Sequence, residues 1–435
     1  MTALAHGTDQ YLRLFEQAEA RENGSARPLL RKLRQSAIAR FRELGFPAAR
    51  NEDWKFTSVA PLLQVPFVAA EQAMPAPAGL PPLLSADAVR LVFVAGRFAP
   101  EHSHMAGAGH GIRVANLAAL TDEQLKPHLA QLADLKDAAF TALNTAFMRD
   151  GAAIEVADNV AASQPLEVIH VGVSAERPML AHPRCLIVAG KHAKITVVER
   201  FIAVGADLPY FTNAVTEIAV REGAHVDHYK VQQEGPQAFH VANTQVVLQR
   251  ASKFATHYLA LGGHWVRNEV RVRFDDEGAE ATVNGLYLAG GTQHVDNFTV
   301  IDHARAHCAS HELYKGILTE QAHGVFNGKI LVRPAAQKTD AKQTNKVLLL
   351  SDHATINTKP QLEIFADDVK CTHGATIGQL DDEALFYLRA RGIGLDQARS
   401  LLTYAFANDI IGRIQVEALR QELERFFINF KPLAA

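Results

Sequence analysis

The feature that most constrains the fold is a run of short β-rich segments that fills residues 151–379. Segments such as "LEVIHVGV", "KITVVERFIAV", "ATVNGLYLAG" and "QLEIFAD" follow one another between small or polar residues, and no helical period separates them. A bend that carries an alanine precedes a strand at Ala193, Ala224, Ala255, Ala279 and Ala354. The first three of these alanines lie 31 residues apart and the next step is 24, which is typical of coils in a solenoid.

Two architectures fit this run of strands. A parallel β-helix stacks coils of unequal length, each of which buries its inner face on its neighbours. An antiparallel sandwich needs hairpins, and Asn284-Gly285 and Asn327-Gly328 are legitimate hairpin signals. Because most joints lack such two-residue turns, the periodicity favours the β-helix, but only mildly.

Helical patterns flank the β-rich run. Apolar residues recur at spacings of three and four over residues 9–46, "ENGSARP" interrupts them, and Gly45 ends the second helix. The stretch "LTDEQLKPHLAQLADLKDAAFTALNTAF" predicts another helix, and Asp381 with Gly392 marks the ends of "EALFYLRAR". We therefore divide the chain into an N-terminal helical region (1–64), a proline-rich linker (65–82), a mixed α/β lead-in (83–150), a β core (151–379) and a C-terminal helical region (380–435).

Composition excludes several classes of protein. Hydrophobic residues make up 48% of the 435 residues and charged residues 21%, as in an ordinary core-forming protein. The net charge of −3 gives no reason to expect a nucleic-acid partner, and no apolar run is long enough to predict a membrane span. The N-terminus lacks the apolar core of a signal peptide, and three scattered cysteines form no disulfide framework, so we expect a cytoplasmic protein.

Cys371 and His373 form the most suggestive pair in the sequence. Two residues apart on a strand, both side chains point to one face and offer one sulfur and one nitrogen to a metal. A closed zinc or iron-sulfur site needs about four ligands. The pair is therefore half a site, and on spacing alone a packed cysteine beside a hydrogen-bonded histidine is the commoner arrangement.

A second group, His303, His307 and His311 with Cys308 among them, has spacings of four. On a helix these histidines would share a ligand face, but the stretch lies within the β-rich run, so the spacing disfavours a metal site. No phosphate-binding loop of the form G-x-x-x-x-G-K-[ST] occurs, and neither does G-x-S-x-G, H-E-x-x-H or C-x-x-C. The sequence contains no self-sufficient active site.

The stretch "KCTHGATIGQLDDEALFYLRARGI" resembles the SufB/SufD family of iron-sulfur cluster assembly proteins, and its SufD members in particular. The resemblance continues through "ELYKGIL", "FNGKILVRPAAQKTDAKQTNKVLLLSD" and "NTKPQLEIFADDVK", and recurs in "RNEDWKFT". It implies a mainly β fold, a right-handed parallel β-helix core flanked by N-terminal and C-terminal α-helical regions. It thereby decides the question that periodicity leaves open.

The resemblance also implies partners. In the family, the β-helices of SufB and SufD pair, and the C-terminal helices of each receive the ATPase SufC. The chain would then be a non-enzymatic scaffold subunit, and the nucleotide chemistry would belong to SufC. A homodimer of the isolated chain stays open.

The same resemblance implies a function for the half-site of Cys371 and His373. His373 matches a family histidine at the interface with SufB, facing a SufB cysteine, and Cys371 matches the neighbouring cysteine. Iron or a transient iron-sulfur cluster would be held there, with no tightly bound cofactor in the chain alone. Cys185 and Cys308 would then be packing residues, and Trp54 of "RNEDWKFT" a packing anchor.

The C-terminal helices carry more apolar residues than a short helical hairpin can bury, so we expect them to pack on the β core or to dock SufC. The predicted docking residues are Leu385, Leu388, Leu401, Leu402, Phe406 and Ile410. Two rival functions remain. A carbohydrate-active β-helix enzyme would need clustered acidic residues on one solvent face, which the strands lack, and a stand-alone metal-binding protein would use the histidines between His303 and His311.

Overall fold

The computed structural model describes residues 3–22, 27–69, 79–173, 176–204 and 208–430. Residues 70–78 of the predicted linker therefore lie outside the described residues. The helices are α1 Ala3–Glu22, α2 Pro28–Leu44, α3 Ala60–Leu63, α4 Asp122–Leu125, α5 Ala139–Phe147, α6 Asp382–Ala390, α7 Leu395–Ile411 and α8 Glu417–Asn429.

The strands form two sheets whose members alternate along the chain. Their bounds are β1 Val68–Ala69, β2 Val89–Val94, β3 Arg97–Phe98, β4 Ile112–Asn116, β5 Gly151–Val156, β6 Leu166–Gly172, β7 Met179–Ala181, β8 Arg184–Ala189, β9 Lys194–Ala203, β10 Tyr210–Val220, β11 His225–Gln233, β12 Ala238–Leu248, β13 Lys253–Ala260, β14 Trp265–Phe274, β15 Glu280–Ala289, β16 His294–His303, β17 Ala309–Leu318, β18 His323–Val332, β19 Asp340–Leu349, β20 Thr355–Ile364 and β21 Lys370–Gly378.

From β8 onward each strand hydrogen-bonds in parallel to the strand two places further along the chain. One sheet runs β20-β18-β16-β14-β12-β10-β8-β5-β4 and the other β21-β19-β17-β15-β13-β11-β9-β6-β2-β3. Only the β2/β3 and β4/β5 pairs are antiparallel among the described strands. This is a β-solenoid of about 7 turns. The predicted parallel β-helix between terminal helices is confirmed, while its right-handedness stays a prediction.

The two sequence signals for hairpins lie inside strands. Asn284-Gly285 is in the middle of β15 and Asn327-Gly328 in the middle of β18. A Cβ atom at Gly285 would lie 2.2 Å from the ring of Tyr314, and one at Gly328 would lie 2.3 Å from the amide nitrogen of Gln343. These glycines therefore make room for side chains from other strands, which is a second common use of glycine in a sheet.

The coils turn at a repeated corner, which explains why alanines recur before several strands in the sequence. At each corner a residue with a left-handed backbone is followed by a small, buried residue that immediately precedes the next strand. The left-handed residues are His192, Gly223, Ala251, Gly278, His307 and Lys338, and the small residues after them are Ala193, Ala224, Ser252, Ala279, Cys308 and Thr339. Ser252, not Ala255 of the predicted series, therefore occupies the corner before β13. Ala354 precedes β20, which belongs to the other sheet.

The N-terminal region packs on the outer face of the first sheet. Helices α1 and α2, separated as predicted, join α5 and the strands in one apolar cluster that contains Tyr11, Phe41 and Trp265. The helix predicted over "LTDEQLKPHLAQLADLKDAAFTALNTAF" is not continuous, because only its two ends form α-helices, α4 and α5. Between them the buried carboxylate of Glu217 accepts hydrogen bonds from the backbone N–H groups of Ala130, Leu132 and Ala133, which a helix would have used internally.

The sheets begin before residue 151. Strand β2 of the lead-in pairs in parallel with β6 and extends the second sheet, and β1 of the predicted linker pairs with β7. Strands of the lead-in are therefore part of the two sheets of the solenoid.

Candidate functional site

The last coil of the solenoid has an open side. Strand β20 pairs only with β18 and β21 only with β19, so each is the edge of its sheet among the described strands. Along β18 most residues are buried, whereas β20 is half-buried over most of its length and β21 is exposed over most of its length. An edge of this length exposes unpaired backbone N–H and C=O groups, which native proteins normally cover.

His373 and Cys371 lie on β21 and point into the solenoid. Cys371 pairs with Ala341 of β19 and His373 with Gln343, and both partners are buried in the interior. Residues paired in neighbouring parallel strands point to the same face of the sheet, so the two side chains face inward. His373 is nevertheless exposed, because β21 is an edge strand of the described chain. In the part of the chain that is described it has no hydrogen-bond or ion-pair partner, so its ring nitrogens are available to a ligand.

Cys371 is half-buried and packs against the apolar interior of the solenoid. Burial raises the pKa of its thiol above the ordinary value. The sulfur is therefore a neutral packing group near pH 7 and would become a ligand only if a metal displaced its proton. The packing expected from the spacing thus fits Cys371, whereas His373 is exposed and forms no hydrogen bond with a described residue, and its role as a ligand stays a prediction.

An apolar rim accompanies these residues, which sequence reasoning missed. Ile377 on β21 is 48% exposed, and Ile364 and Phe365 at the end of β20 are 40% and 62% exposed. Exposed apolar residues of this size on edge strands mark an interaction surface. The residues are apolar in the sequence, but only the topology reveals that no described strand covers the last coil.

The histidines of the 303–311 group do not come together. His303 is fully buried, stacks on Phe274 with ring centroids 4.4 Å apart, and shares a hydrogen bond of 2.8 Å with Ser310. Burial lowers its pKa to about 4. His307 is the left-handed corner residue, and His311 lies exposed on β17.

Nowhere among the described residues do three or more His, Cys, Asp or Glu side chains form a group that could hold a metal ion. The stand-alone metal site is therefore not supported. Cys185 and Cys308 are both buried, as expected for packing residues, and burial raises the pKa of each thiol.

The C-terminal helices α7 and α8 lie on the outer face of the second sheet. Their buried residues form one apolar cluster with strand residues such as Tyr229 and Leu286. Two ion pairs fix the helices in place: Arg200 donates to both carboxylate oxygens of Glu422 at 2.9 Å, and Lys315 pairs with Asp409 at 3.1 Å. Among the described helices none is long and apolar enough to cross a membrane.

Helix α6 extends away from this packing. Asp381 caps its N-terminus by accepting from the backbone N–H groups of Glu383 and Ala384, and the left-handed Gly392 follows its end, as the sequence predicts. None of its residues is buried, and Phe386 and Tyr387 are 73% and 57% exposed. Its exposed aromatics were not among the predicted docking residues, although "LFYL" carries them.

The predicted docking residues fall into three classes. Leu401 is exposed, and Ile410 is fully buried against the strands. The others are half-buried: Leu385, Leu388, Leu402 and Phe406. Ile410 therefore packs on the solenoid and is not accessible to a partner. The helical period alone could not separate the two faces of α7, because apolar residues occur on both.

The segment "RNEDWKFT" fastens the N-terminal region to the solenoid. The Trp54 ring stacks on Phe140, with centroids 5.2 Å apart, and the guanidinium of Arg267 lies 3.9 Å from a Trp54 ring. The Thr57 hydroxyl donates to the buried Asp296 at 2.5 Å. Glu52 pairs with Lys359 of β20, which holds one strand of the last coil. The packing role predicted for Trp54 is confirmed.

Comparison with known proteins agrees with this architecture. A family model described as "SufBD protein N-terminal region" matches residues 5–168, and one described as "SUF system FeS cluster assembly, SufBD core domain" matches residues 170–406. The chain is 35% identical to an iron-sulfur cluster assembly SufBD family protein of Synechocystis, over 98% of this chain and 96% of that protein.

Two relatives carry the name SufD. The chain is 32% identical to the iron-sulfur cluster assembly protein SufD of Escherichia coli, over 96% of this chain and 95% of that protein. It is 27% identical to SufD of Bacillus subtilis over 65% of this chain and 64% of that protein. The chain therefore belongs to the SufBD family of iron-sulfur cluster assembly proteins and is SufD-like.

Proposed function

We propose that this chain is the SufD-like scaffold subunit of a complex with SufB and the ATPase SufC, in which His373 helps to hold iron or a nascent iron-sulfur cluster at the interface with SufB. The observation that carries the proposal is the open last coil. On this coil an inward-facing, accessible histidine lies beside two uncovered edge strands and the apolar rim of Ile364, Phe365 and Ile377. The chain acts as a scaffold and leaves nucleotide hydrolysis to its partner.

Pairing with SufB would cover the last coil. A second solenoid placed against β20 and β21 would satisfy their free backbone groups and bury Ile364, Phe365 and Ile377. His373 would then lie at the joint between two solenoids. A metal site shared across that joint is complete only in the complex, so binding of iron or a cluster would depend on assembly.

The ligand chemistry suits temporary binding. A neutral imidazole binds ferrous iron through one nitrogen near pH 7, and a thiolate from the partner would supply the soft ligand that a cluster requires. Cys371, whose thiol pKa is raised by burial, would contribute only weakly. An incomplete ligand set of this kind allows a scaffold to pass its cluster to an acceptor.

The surface for SufC would be formed by α6 and the exposed face of α7. Phe386, Tyr387 and Leu401 are exposed there, and Leu385 and Leu388 are half-buried. Because α7 and α8 are fixed to the sheet by the Arg200–Glu422 and Lys315–Asp409 pairs, movement of SufC would be transmitted to the solenoid.

The test of the ligand role compares His373→Ala with Thr372→Ala in cells that contain no other copy of this gene. Thr372 is the exposed neighbour of His373 on the outward face of β21, so it is a matched control. We expect His373→Ala to reduce the activity of a cluster-dependent enzyme sharply. Both variants should keep the melting temperature and the subunit ratio of the complex, since exposed substitutions usually change stability by about 0.5 kcal/mol or less.

Two outcomes would contradict the proposed ligand role. One is normal enzyme activity with His373→Ala, and the other is a complex that dissociates with this variant. The docking surfaces are tested separately by pull-down. Ile377→Asp should abolish binding of SufB but not of SufC, and Leu401→Asp should have the opposite effect, because the two residues lie on different surfaces.

A further inference from the structure

A polar column lies in the solenoid interior below His373. Glu312 of β17, Gln343 of β19 and His373 of β21 occupy one register position on three successive coils. All three face inward, and the first two are buried, with 4% and 1% of their surface exposed. Neighbouring strands in a sheet lie about 4.8 Å apart. The amide of Gln343 is therefore the nearest interior side chain below His373 in its own column.

The amide of Gln343 is held in one orientation. Its Nε2 donates to a carboxylate oxygen of Glu312 at 2.8 Å. Above about pH 7 the Glu312 carboxyl is ionised and can only accept hydrogen bonds, so there it requires the Nε2 end of the amide. The side chain also passes over Gly328, where even a Cβ atom would lie 2.3 Å from Nε2, and this close approach limits the room for rotation.

The other end of the amide has no partner. Gln343 Oε1 is buried and accepts no hydrogen bond from any described residue. A buried amide oxygen without a donor costs about 1–3 kcal/mol. A donor on the next coil would remove this cost, and His373 is the polar residue that the register places there.

We propose that Gln343 is a positioning residue for His373: the two side chains form no hydrogen bond in the structure, but rotation of the exposed imidazole about its side-chain bonds would let its N–H donate to the buried amide oxygen of Gln343. A neutral imidazole carries one N–H, so this bond selects one tautomer and leaves the lone pair of the other nitrogen free for a ligand. Ligand histidines in metal sites are commonly fixed in this way by an acceptor behind them. The inference deepens the proposed function, because it adds the support on which His373 would rely as a ligand.

The experiment measures the tautomer of His373 directly in the full chain. Protein labelled with 15N-histidine is studied by long-range 1H–15N NMR at pH 8, where an ordinary imidazole is neutral, and the His373 signals are assigned with His373→Gln. We expect a single tautomer in the natural chain. Gln343→Met, which conserves volume and removes the acceptor, should give the tautomer mixture of a free imidazole, and Gln343→Glu, which keeps an acceptor, should restore the single tautomer.

Asn345 supplies the matched control. It is also buried and inward-facing on β19, and its amide oxygen also lacks a partner in the described chain, but its neighbour on β21 is Ala375. Asn345→Leu should therefore leave the His373 signals unchanged. A tautomer mixture in the natural chain would overturn the inference without any variant. So would a single tautomer in Gln343→Met, or a change with Asn345→Leu as large as that with Gln343→Met.

This measurement needs neither SufB nor a cluster. If the tautomer result is as expected and His373→Ala has normal activity in cells, the proposed function fails while the positioning role stands. If the tautomer is mixed and His373→Ala loses activity, the positioning role fails alone.

Discussion

The buried carboxyl of Glu312 predicts how the stability of this protein depends on pH. Glu312 lies inside the solenoid, where Gln343 donates to it, and no cation of the described residues forms an ion pair with it. Burial raises its pKa from 4.5 to about 7, although the hydrogen bond from Gln343 opposes the rise. The perturbation is Glu312→Gln, which removes the ionisable group and keeps the size of the side chain.

The sign follows from proton binding. Between pH 4.5 and about 7 the folded chain keeps the proton on Glu312 while the unfolded chain has lost it, so the free energy of unfolding falls as the pH rises through this window. Above about pH 7 both states are ionised and the loss is complete. A pKa difference of this size corresponds to about 3 kcal/mol at pH 8 and about 1 kcal/mol at pH 5.

The assay is urea unfolding of the natural chain and the Glu312→Gln variant at pH 5 and pH 8, followed by circular dichroism. The variant should gain stability over the natural chain on going from pH 5 to pH 8, by about 2 kcal/mol. Glu280→Gln is the control, because Glu280 is an exposed carboxylate of β15 and should show no such gain. If the two chains kept the same stability difference at both pH values, Glu312 would not titrate with a raised pKa and the reasoning would be refuted.

Three further substitutions test the packing of the helical regions. Ile410→Ala should lower the hydrogen-exchange protection of α7 about 100-fold, because truncating a buried isoleucine costs about 3 kcal/mol, whereas Leu401→Ala should leave it unchanged. Glu422→Leu should speed exchange across α8 by at least about 10-fold, since it removes a charged acceptor from the buried Arg200, and unchanged exchange would contradict this anchoring role. Trp54→Ala should lower the melting temperature by several degrees, since the ring stacks between aromatic neighbours, and an unchanged melting temperature would contradict the packing role.

Two features of the sequence indicated the solenoid, the run of strands and the alanine that recurs in a bend before several of them. Ala193, Ala224 and Ala279 are true corner residues, each after a left-handed residue. Ala255 is not, because a corner accepts any small residue and the chain uses Ser252 there. Since Cys308 and Thr339 serve equally, a search for one residue type finds only part of the repeat. The resemblance, not the periodicity, decided between the two architectures.

Other features depended on contacts between distant residues. The helix predicted between α4 and α5 is wrong, because Glu217, some 85 residues away, accepts hydrogen bonds from the N–H groups that a helix would use. A metal-ligand role for His307 is not supported, for a different reason. A histidine at a left-handed corner fulfils a backbone requirement, which its spacing from other histidines does not reveal.

The position of His373 meets two opposing demands on the ligand role proposed for it. A ligand must be held rigidly, which favours a strand over a loop, and it must be reachable, which excludes the inward face of every coil that has a neighbour on both sides. On β17 and β19 the inward residues Glu312 and Gln343 are buried by the coil that follows. Of the coils that the structure describes from β17 onward, the last is where an inward-facing side chain can be open to a partner and also supported by the column beneath it, as proposed for His373. A histidine moved one coil back, in exchange for Gln343, would keep its register and its chemistry but would be sealed inside the solenoid, so the exchange should abolish cluster formation without unfolding the chain.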